Sequence, residues 1–332
     1  MTRAIDLHAH LFPQCLWRAI EAGGDWHGIR CERDSDGREH LNVRGRHQGE
    51  IGPKMRFTPQ ERLAHMDAIG TDVHVVSVTP SLFGYDLEEA PAVAAAREVN
   101  DEIAGLARQW PQRFAGLANL PLPHVGAAVA ELQRAVGSLG LKGAMLDTQV
   151  NSRNWDEPEW GPLFQAAEGV GALLFFHPSR SIVQQRINRY HLANTIGNPL
   201  EDMLAVAALI FGGVLERHPD LKVAIAHGGG GICYGIGRLD RGWEARPEAR
   251  LHIPHPPSHY LRRFYYDTIT WSEAALRFLI DTVGADRVVL GSDFPYDMGP
   301  ESPARWLEAM PRITPREKDL ILGQNLQQLL GP

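Results

Sequence analysis

Near the start of the chain, Asp6-Leu7-His8-Ala9-His10 sets two histidines two positions apart in an apolar run. On an extended strand alternate side chains share a face, so His8 and His10 point the same way and can converge on one cation. Neutral imidazole is a borderline-soft ligand that needs little deprotonation near pH 7, which suits zinc or a similar ion. With 15 histidines in 332 residues, such a spacing alone decides little. Three further groups each end a separate apolar run: His177 in ALLFFHPS, His227 in LKVAIAHGGG and Asp293 in RVVLGSDFPY. The carboxyl ends of strands in a parallel barrel open onto one rim, where residues distant in sequence meet. Taken singly, His177 reads equally well as a core histidine bonded to backbone, and Asp293 as a helix N-cap ahead of Pro295. Four such groups at four strand ends favour a metal site with an acid/base beside it.

The elements that must position these groups follow from the rhythm of the chain. Short β-branched runs alternate with amphipathic stretches, the pattern of repeated βα units around a parallel sheet. Strand candidates are Ala4 to His8, Val73 to Thr79, Phe114 to Leu120, Leu141 to Leu146, Ala172 to His177, Lys222 to His227, Arg263 to Asp267 and Arg287 to Ser292. Eight strands predict an α/β fold, a (β/α)8 TIM barrel, as a single domain over residues 1–332. Helices are expected over Pro59 to Gly70, Ala90 to Trp110, Val125 to Val136, Pro158 to Gly169, Leu200 to His218 and Ser272 to Val283, with more closing the chain from about Ser302. Residues 21–57 break the rhythm. They are polar, and Asp36-Gly37 is a hairpin-turn signal, so a small β insertion after strand 1 is expected. Gly242 to Tyr260, dense in Pro and charge, reads as a loop after strand six. Loops after strands build the active-site face of a barrel, so both irregular regions are expected there.

Composition narrows the class of ligand. Apolar residues make up 44% and charged residues 22%, ordinary for a globular chain, and the net charge of −7 disfavours a nucleic-acid partner. The opening MTRAIDLHAHLFP lacks the apolar core of a signal peptide, and no run reaches the length of a membrane span. A soluble, cytoplasmic protein without a membrane partner is expected, acting on a small molecule. Cys15, Cys31 and Cys233 form no CxxC pair and are read as reduced.

The segments DLHAHLFP (6–13), RLAHMDAIGTDVHVVSVTPSLFGYD (62–86), FHPS (176–179), GNPLEDMLAVAALIFGGVLERHPDLKVAIAHGGGG (197–231), GRLD (237–240) and RVVLGSDFPY (287–296) run nearly end to end. In this order the chain resembles the decarboxylase branch of the amidohydrolase superfamily, most closely the 2-amino-3-carboxymuconate-6-semialdehyde decarboxylase-like family. The resemblance implies one divalent metal ion, Zn2+ most often and Mn2+ in some members, ligated by His8, His10, His177 and Asp293. It implies that His227 is no ligand but an acid/base acting on water at that metal, with Asp293 counted among the catalytic groups as well. Two-metal members of the superfamily use a carboxylated lysine at the end of strand four. The nearest lysine here, Lys142, stands at that strand's beginning, so a mononuclear site is expected.

The same resemblance assigns the substrate carboxylate to Arg238 in GRLD and to Arg246 just after it, one of the pair reaching across a homodimer interface. A helix-surface ion pair with Asp240 or Glu244 is the plainer reading of Arg238. The family's further substrate-binding arginine falls on Glu50 here, with Arg46 and Arg56 on either side. A carboxylate facing the pocket would repel a dicarboxylate and receive an amine, a hydroxyl or a cation instead. Phe294, Phe83, Tyr296 and Trp271 adjoin strand ends and either wall the pocket or pack the core. Gly228 to Gly231 either let backbone approach a ligand or start the next helix. The expected reaction is non-oxidative decarboxylation of an unsaturated or hydroxy- or amino-aromatic carboxylic acid by a carbon–carbon lyase. A hydrolase or hydratase acting on a ring-cleavage product is the rival on the same scaffold.

Overall fold

Parallel strands buried on both faces require near-continuous apolar sequence, and the barrel staves have it: Leu173–Phe176 reads LLFF and every residue is buried. In the computed structural model, which describes residues 2–181 and 183–331, the strands are β1 (Ile5–Leu11), β5 (Val73–Val78), β6 (Phe114–Gly116), β7 (Gly143–Leu146), β8 (Leu173–Phe176), β9 (Lys222–Ile225), β10 (Phe264–Asp267), β11 (Val288–Val289) and β12 (Gly291–Phe294). Three more, β2 (Ile29–Arg33), β3 (Glu39–Val43) and β4 (Arg46–Glu50), form a separate antiparallel sheet after β1, as the Asp36-Gly37 turn predicts.

Parallel pairing runs β12-β1-β5-β6 and β7-β8-β9-β10-β11. Ala118 joins the two halves: its N–H donates to the Gly143 carbonyl at 2.8 Å and its carbonyl accepts from Met145 N–H at 3.0 Å. The other seam lies inside the eighth stave. β11 pairs with β10 and β12 with β1, while the N–H of Leu290 between them is taken by the Ile321 carbonyl of the C-terminal segment at 3.1 Å. That one stave in two pieces closes an eight-membered cylinder.

Helices cover the cylinder over Pro59–Ile69, Glu89–Gln109, Val125–Gly137, Gly161–Gly169, Asn198–Phe211 and Glu273–Val283, close to expectation. The first is delimited by a capping box between Thr58 and Glu61 and by Gly70 in the left-handed region, φ 74°. The helix Gln14–Glu21 lies outside the sequence expectation, and Ile232–Ala245, left open by the readings of Gly228 to Gly231 and Arg238, runs into the stretch expected as a loop. The second relocates an entire loop. Because a helix intervenes after β9, the segment 246–260 enters β10 from the floor of the barrel instead of lying on its active rim. There Trp243 donates to the Ile253 carbonyl, and Tyr260 hydroxyl bonds Glu216 at 2.5 Å.

Candidate metal centre

Strand alternation puts Asp6, His8 and His10 inside the cylinder and Leu7, Ala9 and Leu11 against the helices. His8 Nε2 lies 3.1 Å from His10 Nε2, and each is 3.2 Å from Asp293 Oδ1. His177 completes a buried set whose donor atoms all fall within 4.8 Å of one another. Its Nδ1 is spent on the Pro178 carbonyl at 2.8 Å, which leaves Nε2 buried with no hydrogen-bond partner. Donors at about 2.0–2.2 Å from a tetrahedral zinc sit roughly 3.3 Å apart, so three imidazoles and a carboxylate fit one such ion. Asp293 adopts φ 58° and His227 φ 50°, left-handed conformations that non-glycine residues rarely hold and that turn these side chains at their strand ends.

The electrostatics describe the same cage. Burial works against a charge on His8, but the carboxylates of Asp293 and Asp267 outweigh it and hold the imidazole at about 10. Burial lowers His10 to about 4 and puts His177 well below the usual imidazole range. Burial pushes against an ionised Asp293 too, yet His8 and His10 keep its carboxyl well below the usual value.

Asp267, at the end of β10, was not among the residues picked from sequence. It accepts from His8 Nδ1 at 2.6 Å, from the backbone N–H of His227 at 3.0 Å, and from those of Gly228 and Ile269 at 2.9 and 3.0 Å. The His8 bond leaves Nε2 as the coordinating atom and raises its basicity. Asp267→Asn keeps the shape but loses the charge, and should weaken zinc affinity by about 10–100-fold in chelator competition. Asp6 secures the other edge: it accepts from the N–H groups of His8 at 2.9 Å and Ser292 at 3.1 Å, and from the Ser292 hydroxyl. Behind β1, buried Arg62 donates to the His10 carbonyl at 2.8 Å and to His74 Nδ1 at 3.1 Å.

His227 stands beside the cage without being one of its four members. Its ring centroid is 5.0 Å from that of His177, and its Nδ1 bonds Asp202 Oδ2 at 2.8 Å. Asp202, a second residue missed in the sequence, projects from the helix Asn198–Phe211 and is fully buried. Burial resists a charge on His227, but the Asp202 carboxylate prevails and lifts the imidazole above its ordinary value.

Two cavities flank the cage. An apolar one of about 540 Å3 is lined by His227, Asp293, Ile269, Trp271 and Phe278. A smaller one of about 250 Å3 is lined by His177, Asp293, Tyr296, Ser179 and Arg180. It shares Gln48, Pro80, Ser81 and the segment Ser179 to Ser181 with a polar chamber of about 880 Å3.

The amidohydrolase family pattern matches residues 5–331. The chain belongs to the amidohydrolase family. This amidohydrolase is 33% identical over 328 residues to a 2-amino-3-carboxymuconate-6-semialdehyde decarboxylase of Dictyostelium discoideum, covering 98% of this chain and 91% of the relative. The 5-carboxyvanillate decarboxylase of Sphingomonas paucimobilis superposes with a TM-score of 0.83 at 26% identity, over 99% of both chains. A 5-carboxyvanillate decarboxylase of Novosphingobium aromaticivorans, solved with manganese and 4-hydroxy-3-methoxy-5-nitrobenzoic acid, has a TM-score of 0.76 at 25% identity, over 81% of this chain and 79% of its own.

Several expected substrate residues stand elsewhere in this amidohydrolase. Glu50 ends β4 with 55% of its side chain exposed and Arg38 at 3.8 Å, so it does not face the pocket. Phe294 packs beneath Arg62, 4.5 Å from guanidinium to ring, and lines neither cavity beside the cage. Arg246 follows the helix Ile232–Ala245 at the floor of the barrel, opposite the cage. Arg238 is exposed midway along that helix, and its anticipated partners are engaged elsewhere, Glu244 with Arg241 and Asp240 with the Ser258 N–H. Phe83 lines the polar chamber and stacks on Tyr85. Gly228 to Gly230 form a left-handed turn before the helix; a Cβ on Gly230 would meet the Pro199 carbonyl at 1.9 Å, so that glycine serves close packing.

Proposed function

We infer that the protein is a metal-dependent, non-oxidative carboxy-lyase acting on an unsaturated or hydroxy- or amino-aromatic carboxylic acid. The observation that carries this reading is a buried cage of three imidazoles and one carboxylate with a carboxylate-backed His227 beside it. His8, His10, His177 and Asp293 would hold a divalent cation, which when bound would supply Lewis-acid stabilisation of negative charge on a substrate oxygen. Zinc suits a donor set of three nitrogens and one oxygen, whereas manganese prefers oxygen. Loss of CO2 leaves an electron pair on carbon, and a proton must take the place of the departed group. His227 is the group to deliver it: the bond to Asp202 fixes Nδ1–H, so Nε2 carries the transferable proton, and the Asp202 carboxylate raises the imidazole above its ordinary value. The largely apolar lining beside His227 suits a developing carbanion better than bulk water does. CO2 released in step with acid consumed, across a panel of hydroxybenzoates and aminomuconate-like acids, tests the reading. Water consumption without CO2 from any of them would make the protein a hydrolase.

We further infer a homodimer. Tyr234, Trp271 and Phe278 rim the apolar cavity at 90%, 49% and 46% exposure, apolar surface at the mouth of a working site. Arg238 lies one helical turn beyond Tyr234 on the same face, so a second copy covering this surface brings its arginine to the cavity mouth. Tyr234→Glu should convert a dimer into a monomer in sedimentation velocity and raise KM; a wild-type protein that stays monomeric at micromolar concentration contradicts it.

A further inference from the structure

The polar chamber of about 880 Å3 is joined to the cage through the smaller cavity of about 250 Å3, yet the chemistry inferred above uses only the apolar cavity beside His227. Arg180 stands where they meet, three residues past His177 on the loop after β8, and lines both. Among the described residues no carboxylate lies within ion-pair distance of it. The chamber's other charges are largely committed. Asp86 already serves two arginines, Arg44 at 2.9 Å and Arg46 at 3.0 Å. Asp147 is buried and takes hydrogen bonds from the N–H of Ser179 at 3.1 Å and from the hydroxyls of Thr148 and Ser179. Arg186 and the buried Glu201 complete the charged lining. Arg180 is exposed to the chamber, and partial burial with the nearby Arg46 lowers its guanidinium below the ordinary value against the opposing pull of the Asp86 and Asp147 carboxylates. Glu50, the acid expected to repel a second anion, is outside the chamber.

We propose that this chamber is a second substrate subsite, in which Arg180 binds an anionic group carried by the substrate away from the carboxylate that departs at the cage. The assignment rests on the carboxy-lyase reading and narrows it to acids with two anionic groups, because a planar guanidinium fork selects a carboxylate over a neutral amide of the same shape. Arg180 thereby acts as the specificity-determining residue.

The test is calorimetric binding to the zinc-loaded protein of isophthalate and of its mono-amide, 3-carbamoylbenzoate, two probes of like shape that differ by one charge. Wild-type protein should bind isophthalate at least about tenfold more tightly. Arg180→Gln should bring the ratio of the two affinities close to one, and Arg180→Lys should retain part of it, with zinc content and melting temperature confirming that both variants are folded. Equal binding of the two probes by wild type, no binding of isophthalate, or a ratio that survives Arg180→Gln would overturn the proposal. Binding is read without turnover, so a failure of every acid to release CO2 would sink the carboxy-lyase reading while leaving this measurement to decide the subsite.

Discussion

Replacing His227 by alanine should leave the metal in place and lower kcat by about 10²–10⁴-fold, the usual worth of a positioned acid/base. The expectation follows from geometry. His227 is outside the four-member cage, so its removal costs no ligand, yet its imidazole is the titratable group on the apolar-cavity side of the cage with a buried carboxylate at its back. The sign of the pH dependence follows too. A group that works as an acid must be protonated, and Asp202 raises the value at which His227 gives its proton up. Turnover should therefore fall as pH rises through that raised value, and Asp202→Asn should move the alkaline limb to lower pH. Metal content by elemental analysis and a pH–rate profile read both outcomes. Loss of zinc in His227→Ala would mean that the imidazole is a ligand after all.

His177→Ala should abolish metal binding and turnover together. In this cage His177 Nε2 has no partner within the protein, while its Nδ1–H is pinned by the Pro178 carbonyl, so the free nitrogen is held toward the other three donors. A buried polar atom without a partner costs about 1–3 kcal/mol, and a cation repays it. Metal that binds only the folded state at about 1,000 times its Kd adds roughly 4 kcal/mol of stability. Chelation of the wild-type protein should therefore lower its melting temperature by several degrees, with zinc restoring it, and His177→Ala should show no response to either treatment.

The parts of this molecule legible in its sequence are those that periodicity and strand-end position encode. Runs such as LLFF and KVAI could only be buried parallel strands, and a histidine or aspartate closing such a run had to reach the common rim. Asp267 satisfied the same criterion, since it closes FYYD; it passed unnoticed because its role runs through His8 and has no spacing of its own. Asp202 lies mid-helix, where nothing local distinguishes a buried carboxylate from a surface one. The segment Gly242 to Tyr260 went to the wrong end of the barrel for a different reason. Four consecutive glycines left the helix Ile232–Ala245 as only one of two readings, and a loop's composition does not say which end of a barrel it serves. Glu50 was misplaced because a one-residue change of register in a β-sheet reverses every side chain, and the irregular pairing of β3 with β4 is invisible to an alignment. Arg180 sits beside the FHPS motif, and only the joined cavities give it a role.

The central claim is that four side chains from three staves of the barrel share one cation. An anomalous-difference map at the zinc edge, from crystals of protein purified without chelator and supplied with zinc, tests it most directly. A single strong peak is expected about 2.0–2.2 Å from His8 Nε2, His10 Nε2, His177 Nε2 and Asp293 Oδ1. No peak among these four atoms, or a peak that His227 ligates in place of one of them, would contradict it.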